Sequence, residues 1–196
     1  MSDDHQPLDE FHGPARLFPL PNLVLFPHVI QPLHIFEPRY RQMTADALAS
    51  DRLITMALLR PGWQADYQGQ PEIHPVACLG RIIADQRLPD GRYNLLLRGM
   101  VRLHIDEECV SPRPYRSAHV RVLLDQGSVR PKMQERLRQL LADLLPTWFA
   151  SQESLIAQLN KLLQGDLPLG ALCDVVSFAP ACTANGTADA VIVPRS

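Results

Sequence analysis

The sequence predicts an α+β fold: a β-barrel of about six strands with one inserted helix, followed by a C-terminal helical subdomain. Three observations predict it. A proline-rich apolar stretch opens the chain at residues 17–43, period-two patterns recur from 53 to 124, and the period becomes helical beyond Gly127. The expected organisation is a flexible N-terminal tail at 1–14, a β-rich subdomain at 15–125, a helical bundle at 130–178 and an irregular tail at 179–196.

The opening stretch, LFPLPNLVLFPHVIQPLHIFEPRYRQM, contains Pro19, Pro21, Pro27, Pro32 and Pro38. Its apolar runs, Leu23 to Phe26 among them, favour strands. Proline has no N–H for a ladder and confines them to edges, ends or bulges, so short, sharply bent strands are expected. Pro38 then suits the first turn of a helix, beside the Glu37 carboxylate. Tyr40, Met43, Ala47 and Leu48 follow at helical spacing, and the helix is expected to end near Ser50.

The run LITMALL at 53–59 reads as a strand buried on both faces, stopped by Pro61-Gly62. Residues 63–75 form a polar, turn-rich loop whose large side chains are Trp63 and Tyr67. Residues 76–84 are a further strand, with Gly80 at a bulge or a close backbone approach. Asp90-Gly91 marks a hairpin turn. Residues 93–97 return as a strand that Arg98-Gly99 is expected to break, Gly99 serving special backbone angles. From Val101 to Asp106 apolar and polar residues alternate strictly, and residues 118–124 form the last strand.

In the helical part, Met133, Leu137, Leu140, Leu141 and Leu144 make one apolar stripe, and Pro146 is expected to end or kink the helix. Ser151 is the expected N-cap of a second helix and Gly165 its stop; a third follows Pro168 and runs to Phe178.

The composition excludes several function classes. With 196 residues and 46% hydrophobic content a sizeable core can form, and a formal charge of −2 gives no global field for nucleic acid or anionic lipid. Cys78, Cys109, Cys173 and Cys182 are widely spaced without Cys-x-x-Cys, which favours reduced thiols and a cytoplasmic protein. No run approaches the ~20 apolar residues of a membrane helix. The sequence shows no phosphate-binding loop, no His-Glu-x-x-His and no Gly-x-Ser-x-Gly, and its lysines, Lys132 and Lys161, sit in no nucleophile setting. No metal, no cofactor and no catalytic residue is therefore expected.

The ordered pattern PLPNLVLFP…PLHIFEPRYRQM, followed by CLGRI…DGRYNLLLRGMVRLHI…YRSAHVRVL, resembles the N-terminal, substrate-binding domain of the Lon proteases across residues 16–124. LPLGALCDVVSF resembles the helical part of that family more weakly, and residues 179–196 depart from it. The resemblance is to a stand-alone form lacking the ATPase and protease modules, so the chain is expected not to be an enzyme. It implies a PUA-like barrel and a non-catalytic module that binds polypeptide: unfolded or degradation-bound proteins, or a protease or chaperone partner, with weak homo-oligomerisation.

On this reading Trp63 and Tyr67 are the candidate peptide-binding residues, with the groove between barrel and bundle as a second surface; the same two aromatics could equally fold back as a lid. Pro27, Phe36, Glu37, Arg39, Tyr40, Gly80, Arg98 and Gly99 carry the family motifs and are read as structural. For Glu37 and Arg39 the alternatives are gripping a peptide, or Glu37 accepting backbone N–H groups while Arg39 closes an ion pair inside the fold; the second is favoured. The rival function is an RNA-binding PUA-like module, suggested by Arg113, Arg116, Arg121, Arg130, Lys132, Arg136 and Arg138. No aromatics interleave with these cations as a stacking platform requires, so nucleic acid is disfavoured.

Overall fold

The computed structural model describes residues 14–67, 69–124, 130–150 and 152–184. The elements are β1 (Ala15–Leu20), β2 (Ile30–Ile35), α1 (Pro38–Leu48), β3 (Leu53–Leu59), a 3-10 turn (Trp63–Asp66), β4 (Ile73–Arg87), β5 (Tyr93–Cys109), β6 (Ser117–Leu123), α2 (Pro131–Trp148), α3 (Glu153–Leu163) and α4 (Leu169–Ala184). The strands form one six-stranded sheet in the order β2-β5-β4-β3-β1-β6. β1 and β3 are parallel, and the other pairs are antiparallel. β6 pairs with β5 as well as with β1, so the ladder β5–β4–β3–β1–β6 returns to its own first strand.

β5 makes this possible because it is 17 residues long. Its first half pairs with β2 and its second half with β6, while β4 runs along both. The expected break at Arg98-Gly99 is absent: β5 continues through it, and the ladder only shifts register between Leu79 and Gly80. Gly99 has no left-handed φ. A Cβ there would lie 2.0 Å from the Phe26 carbonyl oxygen, so close approach, not backbone angle, is what glycine allows.

That approach explains a second difference. Residues 23–26 are not a strand. Pro21 and Pro27 bracket them, and the chain instead crosses the sheet interior, with His28 N–H donating to the Gly99 carbonyl (3.0 Å) and Gly99 N–H to the Val29 carbonyl (2.8 Å). His28 takes φ 66° to turn there. Leu25, 3% exposed, enters the sheet core with Phe18, Ile35, Met43, Ile54 and Leu97. Val29, 1% exposed, enters the helical core with Leu145, Phe149, Leu172 and Phe178. One short segment thus belongs to both cores. Each fully buried leucine contributes about 2 kcal/mol of transfer free energy.

β3 is buried at every residue but one, as its continuous apolar run predicts. The hairpin between β4 and β5 turns at Gly91, whose φ is 79°. The helical part differs more. α2 passes through Pro146 and ends at Trp148, because proline costs one hydrogen bond near an end where few remain. Its buried side is carried by Leu145 with Leu141 and Ala142, whereas Met133, Leu140, Leu144 and Trp148 are exposed. The stripe read from spacing is therefore split between a packed edge and an uncovered one.

Arg138 on α2 donates through Nη1 to the carbonyls of Leu163 (3.0 Å) and Gly165 (3.3 Å), and through Nη2 to that of Leu167. These bonds satisfy acceptors that α3 leaves open at its C-terminus. The N-cap of α3 is Gln152; Ser151 lies outside the described residues. α4 continues past Phe178 to Ala184. The predicted N-terminal tail, apart from Pro14, and residues 185–196 of the predicted C-terminal tail lie outside the described residues. Arg102 on β5 pairs with Asp174 on α4, whose side chain is 4% exposed, and this ties sheet to helices.

Candidate functional site

Two surface features meet near the start of α1. The first is the loop predicted as a contact region. Its 3-10 turn follows Gly62 (φ 92°) and brings Trp63 and Tyr67 edge to face, ring centroids 5.3 Å apart. The Tyr67 hydroxyl donates to Glu37 Oε1 at 2.6 Å, and Arg39 Nε donates to Glu37 Oε2 at 3.0 Å. The Arg39 guanidinium lies 4.6 Å from the Tyr40 ring centroid and 5.2 Å from that of Tyr67. The Glu37 carboxylate thus takes up the loop and Arg39. Backbone N–H groups at the helix start go instead to its main-chain carbonyl, from Tyr40 (3.0 Å) and Arg41 (2.9 Å). Burial and the bond to Glu37 push the Tyr67 hydroxyl pKa up; burial pushes that of Tyr40 up further. Trp63 and Tyr67 remain half-buried, each with a face toward solvent.

The second feature is the outer face of β2, β5 and β4. In β5, Tyr93, Leu95, Leu97 and Gly99 are buried, and Asn94, Leu96 and Arg98 are exposed between them. Residues directly opposite on neighbouring strands share a face, so the register defines rows. Pro32, Leu96 and Ala84 make an apolar row. His34, Asn94 and Gln86 make a polar one, joined by His34 Nδ1 to Asn94 Oδ1 at 2.7 Å and by Asn94 Nδ2 donating to Gln86 Oε1 at 3.5 Å. Arg98 stands opposite Arg81 on the other side of the apolar row. The apolar and polar rows line an open groove of about 510 Å³ with a mostly apolar surface. Phe36, 59% exposed, stacks on His34 with centroids 6.3 Å apart and continues the surface toward Glu37.

Sequence reasoning placed Trp63 and Tyr67 correctly as a pair, and the structure brings Glu37, Arg39 and Tyr40 to them. Pro27, Gly80 and Gly99 are buried. Gly80 fits the predicted close approach, since a Cβ would lie 2.7 Å from Leu97 Cγ. Phe36 and Arg98 are instead exposed and flank the groove. The groove itself was missed: its outward residues are single exposed positions in three strands, and register alone aligns them. The alternation in 93–99 was the available signal.

Of the basic stretch, Arg113 pairs with Asp46 (2.9 Å), Arg121 with Asp106 (3.5 Å), Arg116 with Glu108, and Arg138 with backbone carbonyls. These cations are dispersed over β6, α2 and the approach to β6, each held within the fold. Among the described residues no group of three or more His, Cys, Asp and Glu side chains is placed to hold a metal ion, and no helix is long and apolar enough to cross a membrane.

Comparison with known proteins follows the same lines. A Lon protease of Flavobacterium johnsoniae is 27% identical over 126 residues, 63% of this chain and 15% of the relative. A Lon protease of Xanthomonas oryzae pv. oryzae is 22% identical over 161 residues, 82% of this chain and 19% of the relative. The chain thus spans less than a quarter of these relatives' length. Among solved structures, the N-terminal domain of the Mycobacterium avium complex Lon protease superposes with a TM-score of 0.63 at 16% identity, covering 85% of this chain and 83% of that one. A Lon N-terminal domain protein from Xanthomonas campestris gives a TM-score of 0.52 at 22% identity, covering 85% and 99%. Both share the fold. The family model of the ATP-dependent protease La (LON) substrate-binding domain matches residues 15–179, through sheet and helices alike, and the chain belongs to that family.

Proposed function

We propose that this chain is a non-catalytic polypeptide-binding module that holds unfolded or degradation-bound proteins on the outer face of β2, β5 and β4. The observation that carries the reading is the open groove over Pro32, Leu96 and Ala84, rimmed by His34 and Phe36, in a member of a substrate-binding family. An apolar floor beside a stacked aromatic pair holds apolar side chains with little demand on their identity, as a sequence-tolerant binder requires. Trp63 and Tyr67 extend the surface past Glu37 and would take a longer segment. Strand addition at the β2 edge is a poor second mode. Pro32 sits in the middle of that strand without an N–H, and Gln31 Nε2 occupies its carbonyl at 2.7 Å. RNA binding receives no support from the paired arginines.

The setting that accompanies this role is cytoplasmic, with a protease or chaperone as downstream partner. Weak homo-oligomerisation would use the uncovered apolar edge of α2. The test is binding of reduced, carboxymethylated α-lactalbumin, a permanently unfolded chain. Leu96→Ser and Phe36→Ser, both at solvent-facing positions, are expected to weaken it about ten-fold together, the equivalent of about 1.4 kcal/mol of lost apolar contact. Saturable binding that neither substitution nor Trp63→Ala changes, or no binding, overturns the reading.

A further inference from the structure

We infer that the groove selects extended segments in which an acidic side chain lies two residues from an apolar one. The inference rests on the polypeptide-binding reading and adds a ligand chemistry to it. Leu96 and Arg98 are successive outward residues of β5, so their Cα atoms stand about 6.6 Å apart. In an extended ligand, side chains at positions i and i+2 likewise share one face at about that spacing. A ligand whose apolar side chain enters the groove over Leu96 therefore sets its i+2 residue over Arg98 when it runs along the strand.

The charges around that end of the groove favour a carboxylate. Arg98 is exposed and faces Arg81 directly across the β4–β5 ladder, a like-charge juxtaposition that an anion relieves. Asp85, the acidic residue lining the groove, is already held by Arg52 at 2.7 Å. Asp90, near the opposite end, is held by Arg92 at 2.6 Å, and Arg92 also reaches His34 Nε2 at 3.3 Å. The polar row of His34, Asn94 and Gln86 can meet the ligand's main chain on the other side of the apolar row.

The experiment uses the full chain and short fluorescein-labelled peptides with amidated C-termini, so that one side chain supplies the only carboxylate. Peptides carrying Leu-Ser-Glu, Leu-Ser-Gln or Leu-Ser-Lys in a Gly/Gln host are titrated by anisotropy at low and moderate salt, beside the unfolded α-lactalbumin. The expected result is binding of Leu-Ser-Glu about five-fold tighter than Leu-Ser-Lys at low salt, a preference that salt weakens and Arg98→Glu reverses. Arg98→Gln, which keeps size without charge, is expected to remove the preference while leaving α-lactalbumin binding largely intact. Equal affinity for all three peptides, with Leu96→Ser still weakening α-lactalbumin binding, overturns the acidic preference and leaves the polypeptide reading standing. Loss of every interaction in the wild-type chain overturns both. Sedimentation in which Arg98→Glu converts a dimer to a monomer makes a second copy the occupant and overturns the inference. A labelled oligouridylate that competes for the groove more tightly than Leu-Ser-Glu overturns it as well.

Discussion

The Tyr67 hydroxyl donates to Glu37 Oε1 at 2.6 Å across 30 residues of sequence, and this bond fastens the loop after β3 to the start of α1. Glu37 also receives Arg39 at 3.0 Å, and Arg39 lies against both Tyr40 and Tyr67. The carboxylate is the hub: removing one arm leaves the others in place. Tyr67→Phe is accordingly expected to cost about 1 kcal/mol in urea unfolding and to speed proteolysis within residues 60–70. Unchanged cleavage there would show that the loop is held by its aromatic packing alone.

Gly99 is a sharper case. A methyl group would meet the Phe26 carbonyl at 2.0 Å, and both lie on backbone that cannot swing away. Gly99→Ala is expected to destabilise by about 3 kcal/mol, separating the segment that feeds Leu25 and Val29 into the two cores. Gly165→Ala serves as the contrast, since its nearest neighbour would be the Leu162 carbonyl at 3.4 Å. It should be neutral or stabilising by about 0.5 kcal/mol. Similar midpoints for the two variants would refute the close-approach account.

The Arg102–Asp174 pair joins β5 to α4, with the carboxylate almost wholly buried. Arg102→Leu strands that charge, and a loss of about 3 kcal/mol is expected. The double variant Arg102→Leu/Asp174→Leu removes both charges and should recover part of it. A double variant less stable than the single one would mean that the contact contributes net attraction beyond neutralising a buried carboxylate.

Cys78 supplies a pH prediction. Burial pushes its thiol from the ordinary value of 9.0 up to about 12. The folded-state pKa is raised, so the stability this group contributes is complete below pH 9 and is lost as pH rises from 9 toward 12. Over that window the wild-type chain should lose about 1.4 kcal/mol per pH unit from this thiol alone, and Cys78→Ala should show a slope shallower by that amount. In native conditions near pH 8, a maleimide should modify the exposed Cys173 and leave Cys78 untouched. Equal labelling of both would contradict the buried placement.

Much of the fold was legible because its signals are local. Alternation in 101–106, the continuous run of β3, Asp90-Gly91 at the hairpin and Pro38 at the helix start each depend on neighbours a few residues away. Spacing also located the α2 apolar positions, but it left open which of them a partner covers. Leu141 and Leu145 pack against the other helices, whereas Leu140 and Leu144, equally apolar and one position earlier, face outward. Arg138 shows the same limit, since only the folded chain sets its guanidinium beside carbonyls more than 20 residues away.

By itself, then, the sequence determined the α+β class, the order of most elements and the Lon-family pattern in the β-rich part, since period, proline and glycine act within a turn or a strand. Tertiary structure alone decided that Phe26 and Gly99 touch, that Leu25 and Val29 part into separate cores, and that Pro32, Leu96, Ala84 and Arg98 line up on one open face. Register and close approach arise from long-range pairing, and a one-residue slip in any ladder would turn those side chains inward.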